Sequence, residues 1–270
     1  MHSENSTPTA FDYSRRFGGV ERLYGAQALQ RFQQAHVGII GIGGVGSWAV
    51  EALARSAVGK LTLIDLDNVC ESNVNRQIHA LDGAFGKAKT RAMAERIWAI
   101  NPLCQVQEIE DFLELDNLEH FIGAQDYDWV IDCIDNFRTK AALIHYCRRH
   151  KRKLITIGGA GGQIDPTRIQ VADLSRTNRD PLLAKTRKLL RQTYGFPKNL
   201  KRRFDVPAVY SDEQLCYPVA NGQASYQRPE GAAANGLNCA GGFGSAVCVT
   251  ANFGFIAAAH VLKKLAEQAT

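Results

Sequence analysis

Four glycines set the first chemical constraint. Gly41, Gly43, Gly44 and Gly46 form a Gly-x-Gly-Gly-x-Gly turn between an apolar run at 36–41 and a segment of helical pattern reaching about residue 57. Glycines at such a turn let the backbone approach phosphate oxygens. The N-terminus of the following helix adds N–H donors and the positive end of its dipole. Asp65 ends the next apolar run, 19 residues beyond Gly46, where a carboxylate can accept from ribose hydroxyls. A ligand-free tight turn is the alternative; the strand, helix and carboxylate together argue against it. The turn alone suits NAD, a flavin or ATP. A Walker A loop is absent, because Gly86-Lys87 is followed by Ala88 and lacks the upstream glycine.

Three further clusters narrow the choice. Asp65 and Asp67 are followed by Asn73-Val74-Asn75-Arg76-Gln77. Gly86-Lys87-Ala88-Lys89 opens a helix, and Asp132-Cys133-Ile134-Asp135-Asn136 ends another apolar run. In an open α/β sheet, ligands sit outside the carboxyl ends of the strands, so all three clusters can converge on the glycine turn. The cations Arg76 and Lys89, with Asp135 as a magnesium ligand, suit attack of an acid on the α-phosphate of ATP. The cations neutralise charge on the phosphorus oxygens, and magnesium bridges phosphates. Hydride transfer would ask instead for a flat nicotinamide pocket. Singly, an arginine after a strand is ordinarily a solvated charge, and an Asp-Asn pair ordinarily caps the next helix. Their joint occurrence beside a nucleotide turn favours ATP. The candidate nucleotide contacts are Gly41, Gly43, Gly44, Gly46, Asp65, Asp67, Asn73, Gln77 and Asn136.

The elements that must position these residues follow from hydrophobic period. Apolar runs at 36–41, 60–65, 104–110, 128–133, 153–157 and 168–174 read as strands. Helical patterns at 87–100, 137–150, 181–192 and 245–267 accompany them. This alternation predicts an α/β fold, Rossmann-like and doubly wound, with a mostly parallel sheet. The chain divides into an N-terminal helical arm (1–30), an ATP-binding core (31–175), a basic insertion with a mobile loop (176–235) and a C-terminal apolar helix packing on the core (236–270). No charged residue occurs from 231 to 262, and 246–262 approaches the length of a membrane span. Asn252, His260 and the glycines at its start favour a helix buried within the protein over membrane association.

The 270 residues are 45% hydrophobic and 22% charged, which excludes disordered, collagenous and coiled-coil classes. The net charge of +5 conceals a division. Residues 148–203 hold 16 lysines and arginines against three acidic residues, and the rest of the chain holds 16 against 24. Lys185, Lys188 and Arg191 share a helix face, and Lys201-Arg202-Arg203 form a second cluster. Such density suits a phosphate backbone, with Tyr194, Phe196 and Phe204 interleaved to stack on loop bases. A solvated face, a membrane surface or an acidic carrier protein would account for the same charge. Seven cysteines include no CxxC, so a zinc or redox pair is not expected. Most read as small hydrophobes, and the pattern fits a reducing cytoplasm. The first 16 residues lack the apolar core of a secretion signal.

The order of these motifs resembles the adenylating fold of ubiquitin-activating enzymes. Bacterial relatives of that fold activate sulfur-carrier proteins in molybdopterin and thiamine synthesis. Arg15-Arg16-Phe17-Gly18-Gly19, Arg22-Leu23-Tyr24-Gly25, Arg76-Gln77-Ile78-His79-Ala80, Gly158-Gly159-Ala160-Gly161-Gly162-Gln163-Ile164-Asp165-Pro166 and Cys239-Ala240-Gly241-Gly242-Phe243-Gly244 are most similar to the tRNA threonylcarbamoyladenosine dehydratase family. That resemblance implies ATP-dependent closure of the threonylcarbamoyl side chain on the adenosine beside the anticodon, with loss of water. It implies that Asp135 holds Mg2+, Arg76 and Lys89 grip phosphates, and Asp65 binds the ribose. It further implies that Arg15 reaches the neighbouring subunit's ATP site, hence a homodimer. The alternative is activation of the C-terminus of a ubiquitin-like or sulfur-carrier protein, and the missing cysteine pairs weigh against it. Cys239 could accept sulfur from a transfer protein or an acyl group, although a buried thiol is the plainer expectation.

Overall fold

The computed structural model describes residues 11–219, 222–227 and 243–269. Six of the apolar runs become strands: β1 (His36–Ile40), β2 (Lys60–Ile64), β3 (Gln105–Ile109), β4 (Trp129–Asp132), β5 (Leu154–Ile157) and β6 (Ile169–Asp173). A strand without a sequence signal, β7 (Pro207–Ser211), lies between β5 and β6. The sheet order is β3-β2-β1-β4-β5-β7-β6. All pairings are parallel except β6 with β7. The sequence pattern set residues 176–235 apart as a basic insertion. The structure instead threads that stretch through the sheet, because β7 is the parallel neighbour of β5. The run at β7 is short and begins with proline, which weakens a strand signal although proline is tolerated at a first strand position.

Helices cover both faces. The helices α2 (Ala26–Gln34), α3 (Gly46–Arg55), α4 (Lys89–Ile100) and α7 (Val247–Ala266) bury their apolar faces with β1 and β2 in one core cluster. On the other face α5 (Phe137–Arg149) and α6 (Pro181–Thr193) form the second cluster with β4 and β7. The arm helix α1 (Tyr13–Tyr24) seats Phe17 against Leu29 and Ala57. Burial of β1 on both faces explains its uninterrupted apolar run.

The apolar C-terminal helix packs internally. In α7 the residues Val249, Phe253, Ala257, Val261 and Leu265 are fully buried. Gly254 allows the approach, since a Cβ there would collide with the Val45 carbonyl oxygen and the Ala49 nitrogen of α3. Among the described residues no helix is long and apolar enough to cross a membrane. Part of the predicted loop is structured: β8 (Tyr217–Pro218) pairs with β9 (Ala224–Ser225). Residues 228–242, including Cys239, lie outside the described residues.

Two expectations about side chains are corrected. Phe204 does not offer its ring to RNA; it is 1% exposed and packs edge-on against Phe196. Tyr194 stacks on His145 of α5, so these rings seal the end of α6 onto α5. The cysteines are not mainly buried: Cys104 and Cys147 are, but Cys70 and Cys248 are exposed. Burial pushes both buried thiols up to about 12, which removes them as nucleophiles at neutral pH.

Candidate active site

β1 lies between β2 and β4, so the connections leaving β1 and β4 diverge and open a crevice at their carboxyl ends. The glycine turn ends β1, and Asp132–Asn136 end β4. Gly41 adopts φ +87°, a left-handed conformation open to glycine. A Cβ on Gly46 would collide with the Gly41 carbonyl oxygen. The turn is therefore too tight for any side chain at its closing position, as a phosphate-approaching loop requires.

The carboxylate and cations surround that turn. Asp65 accepts from the Ile42 N–H at 2.6 Å and the Asp67 N–H at 2.9 Å. It thus fixes the backbone of the glycine turn as well as facing the crevice. Burial pushes its carboxyl above the usual range, against the pull of Lys89 and those two N–H groups. Lys89, the first residue of α4, is 6% exposed; its Nζ donates to Asp67 at 2.6 Å and lies 3.9 Å from Asp65. The Arg76 side chain crosses the turn at Gly44 and donates to the Ser72 carbonyl at 2.8 Å and Asn75 Oδ1 at 2.9 Å. Trp48 Nε1 donates to the Arg76 carbonyl at 2.9 Å. Both cations are thereby anchored before any phosphate arrives, which lowers the cost of ordering them.

Asp135 stands apart from these. It is exposed and has no hydrogen-bond or ion-pair partner among the described residues. The two asparagines serve the backbone. Asn73 Oδ1 accepts from the Cys70 N–H at 3.0 Å. Asn136 caps α5, accepting from the N–H groups of Arg138 and Thr139 at 2.9 and 3.4 Å. The helix-cap reading of Asn136 is therefore realised in the geometry. Gln77 is buried beside Gly43 with its Oε1 unpaired.

Several residues around the site belong to no motif in the sequence. Asp132 and Lys140 are fully buried and form an ion pair at 2.8 Å, with Thr156 Oγ1 donating to Asp132 at 2.7 Å. A lysine on the otherwise apolar face of α5, beside Ala141 and Ile144, was the available signal. His79 is 2% exposed with neither ring nitrogen paired among the described residues, and burial beside Lys89 and Arg96 pushes it down to about 4. It is therefore a neutral imidazole at physiological pH.

Asp180 caps α6, accepting from Leu183 and Gly159 N–H groups at 2.9 and 3.0 Å. Burial pushes its carboxyl from 3.8 up to about 6. A folded pKa above the unfolded one stabilises the fold while the group is protonated. That contribution is full below about pH 4 and is lost as pH rises through about 6. We expect a fall in unfolding free energy of at most about 3 kcal/mol from this group. Urea unfolding at pH 4, 5, 6 and 7 measures it, and Asp180→Asn should flatten the slope.

The remaining predicted residues lie elsewhere. α1 packs at the carboxyl ends of α3 and α4, where Arg16 Nη1 donates to the Ala99 and Ile100 carbonyls at 3.0 and 2.8 Å. Arg15, exposed on α1, is thus separated from its own glycine turn by the length of α4, about 18 Å. α6 runs alongside α5 in the same direction, with Lys185 Nζ over the Phe137 ring at its start. Lys188 is exposed, whereas Arg191 lies over Phe204 and donates to the Pro197 carbonyl at 3.3 Å. Lys201, Arg202 and Arg203 are exposed just before β7, at the end of the sheet opposite the glycine turn. Arg203 pairs with Asp173 at 3.6 Å and Asp205 at 3.7 Å.

A switch-point crevice with a glycine turn, two anchored cations and an unpartnered carboxylate defines an ATP-dependent adenylating domain of Rossmann type. Residues 13–270 match the ThiF family, and the chain belongs to it. It is 52% identical over 258 residues to the tRNA threonylcarbamoyladenosine dehydratase of Haemophilus influenzae, covering 95% of each chain. Among solved structures it resembles TcdA (CsdL), with a TM-score of 0.87, 51% identity, and coverage of 95% of this chain and 96% of that one. The Escherichia coli tRNA N6-threonylcarbamoyladenosine dehydratase in complex with ATP has a TM-score of 0.83, 50% identity and the same coverage.

Proposed function

We propose that this protein cyclises the threonylcarbamoyl side chain of adenosine next to the tRNA anticodon, using ATP to adenylate its carboxylate. The observation that carries the reading is the placement of Arg76 and Lys89 about the glycine turn, with Asp135 on the loop that follows β4, the strand beside β1. The similarity over nearly the whole chain supports the same substrate. A carboxylate is a poor acyl donor, because its leaving group would be oxide. Attack of a carboxylate oxygen on the α-phosphorus expels pyrophosphate and gives a mixed anhydride, whose leaving group is AMP. The ureido nitrogen of the same side chain then attacks the acyl carbon, loses its proton and closes the ring. Tethering makes that step intramolecular, worth several kcal/mol of barrier, and no enzyme thiol is needed.

The residues divide this work. The Gly41–Gly46 turn and the N-terminus of α3 receive phosphates, and Asp65 accepts from ribose hydroxyls. Arg76 and Lys89 counter charge on the phosphorus oxygens, Lys89 exchanging its contact with Asp67 for phosphate. Asp135 fits a magnesium ligand: it is an exposed carboxylate at the crevice with no competing partner. Among the described residues no group of three or more His, Cys, Asp or Glu that could hold a metal ion occurs, so Asp135 would be the protein's own ligand to the ion. A magnesium ion held there would offset charge on the phosphate oxygens. Because Arg15 stands a helix length from its own crevice, its part in the clamp requires a second copy, and the protein acts as a homodimer. Exposed Lys188 of α6 and exposed Lys201, Arg202 and Arg203, with half-buried Lys185 and Arg191 beside them, form the surface for the tRNA backbone.

The deciding experiment is mass analysis of the anticodon-loop nucleosides after incubation with ATP and magnesium. Loss of 18 mass units from threonylcarbamoyladenosine, with AMP and pyrophosphate released in step, is expected. Pyrophosphate release that ignores tRNA would overturn the reading. Replacing Lys201, Arg202 and Arg203 with alanine should weaken tRNA binding by about 10-fold and lower its salt slope by about two to three. ATP affinity should be unchanged; filter binding across a salt series checks both.

A further inference from the structure

A second cavity opens at the same end of the sheet as the glycine turn. It has a volume of about 640 Å3 and is lined by Arg179, Asp180, Pro181, Glu213, Tyr217 and Tyr226, among others. That size suits a nucleotide-sized ligand. It lies at the carboxyl ends of β5 and β7, the first and second neighbours of β4.

The floor of the cleft is built and buried. Asp180 and Glu213 are 2% and 7% exposed. Glu213 accepts from the Ile164 and Asp165 N–H groups at 3.0–3.1 Å, and Asp180 accepts from Gly159 and Leu183. Both carboxyls are thus tied to the glycine loop that follows β5, and their oxygens retain lone pairs for further N–H donors. The walls are aromatic. The Tyr217 ring lies 5.3 Å from that of Phe243, and Tyr226 is half exposed, its carbonyl held by Gln214 Nε2 at 3.2 Å. Arg179 stands at the rim with φ +51°, a left-handed conformation unusual for a residue with a side chain. Such conformations gather at ligand clamps, where surrounding structure holds them.

We propose that this cleft receives the modified adenosine itself. Its base stacks on Tyr226, its N–H groups donate to the carboxyl floor, and a flanking phosphate meets Arg179. This inference rests on the reaction proposed above. The geometry gives the substrate a direction. The cleft stands one to two strand spacings from β4, about 5–10 Å. The arm from the adenine N6 to the threonyl carboxylate spans about 5 Å, about one strand spacing; laid along the strand ends, it carries the carboxylate from the cleft towards Asp135. The cations of α6 begin at the same cleft and lead the RNA backbone away from it.

Steady-state kinetics on tRNA bearing threonylcarbamoyladenosine, paired with equilibrium ATP binding, tests the site. Tyr226→Ala should raise the KM for tRNA about 10- to 100-fold, as loss of base stacking does, and leave the ATP Kd unchanged. Tyr226→Phe keeps the ring and should stay within about twofold of the parent. Arg179→Gly accepts the left-handed backbone, removes the guanidinium, and should lower the salt slope by about one. An unchanged KM in Tyr226→Ala together with an unchanged salt slope in Arg179→Gly overturns the cleft while the reaction stands. If the parent enzyme leaves the tRNA nucleoside unaltered, the proposed reaction itself fails. A measurement independent of variant folding is photo-cross-linking of the parent protein to tRNA carrying a photoreactive purine at the modified position. Cross-links to peptides holding Tyr217 or Tyr226 are expected; cross-links confined to other peptides overturn the assignment.

Discussion

Asp135→Ala lowers ATP-dependent tRNA turnover by about 10²- to 10³-fold, the cost of removing one pre-placed charge from a phosphoryl site. The same change leaves tRNA affinity within about twofold and the unfolding midpoint unchanged. The reason for the separation is structural. Asp135 is exposed and has no partner among the described residues, and the cap of α5 belongs to Asn136. Removing the Asp135 carboxylate therefore breaks no contact within the fold. Pyrophosphate release, tRNA filter binding and urea unfolding on one preparation measure the three quantities together. A parallel loss of tRNA affinity would place Asp135 in RNA recognition and remove it from the ATP clamp.

Lys140→Met has its main effect on stability, at about 3–5 kcal/mol. The variant strands the fully buried Asp132 carboxylate, with only the Thr156 hydroxyl and the Ile134 N–H, at 3.1 Å, still donating to it among the described residues. An uncompensated buried charge either protonates or opens the structure, and both cost free energy. In the parent, Lys140 Nζ also reaches the Asp132 carbonyl at 3.3 Å and Thr156 Oγ1 at 3.2 Å. One ammonium group thus ties α5, β4 and β5 together directly behind the turn that presents Asp135. The double variant Lys140→Met with Asp132→Leu replaces the whole pair with apolar groups and should recover much of the loss. Urea midpoints of the parent, Lys140→Met and the double variant test this. Equal midpoints for the single variant and the parent would show that the pair holds nothing.

Much of the site was legible because its residues are constrained by local geometry. A tight strand-to-helix turn demands glycine, and a strand that both faces bury must be apolar. The Gly41–Gly46 turn, Asp65 and the strand ends at 132–136 therefore announce themselves in the chain. Asn73 and Asn136 were legible as types but not as roles, since an asparagine can serve a ligand or a backbone N–H equally well. The geometry shows their oxygens on the backbone. The interleaved aromatics of the basic stretch misled for a related reason. Periodicity cannot say which face of α6 meets α5, and the structure turns Phe204 inward.

The sequence by itself determined the doubly wound class, the glycine turn and the cations beside it, because each depends on residues close together in the chain or on a hydrophobic period. Only the tertiary structure decided the rest. β7 owes its place to pairing with β5, from which some 50 residues separate it. The Asp132–Lys140–Thr156 group joins three elements. The cleft at Asp180, Glu213 and Tyr226 draws on segments that approach only when the sheet is complete. Contacts of that kind carry no local signature, since the free energy that selects them comes from burial and pairing across the assembled sheet.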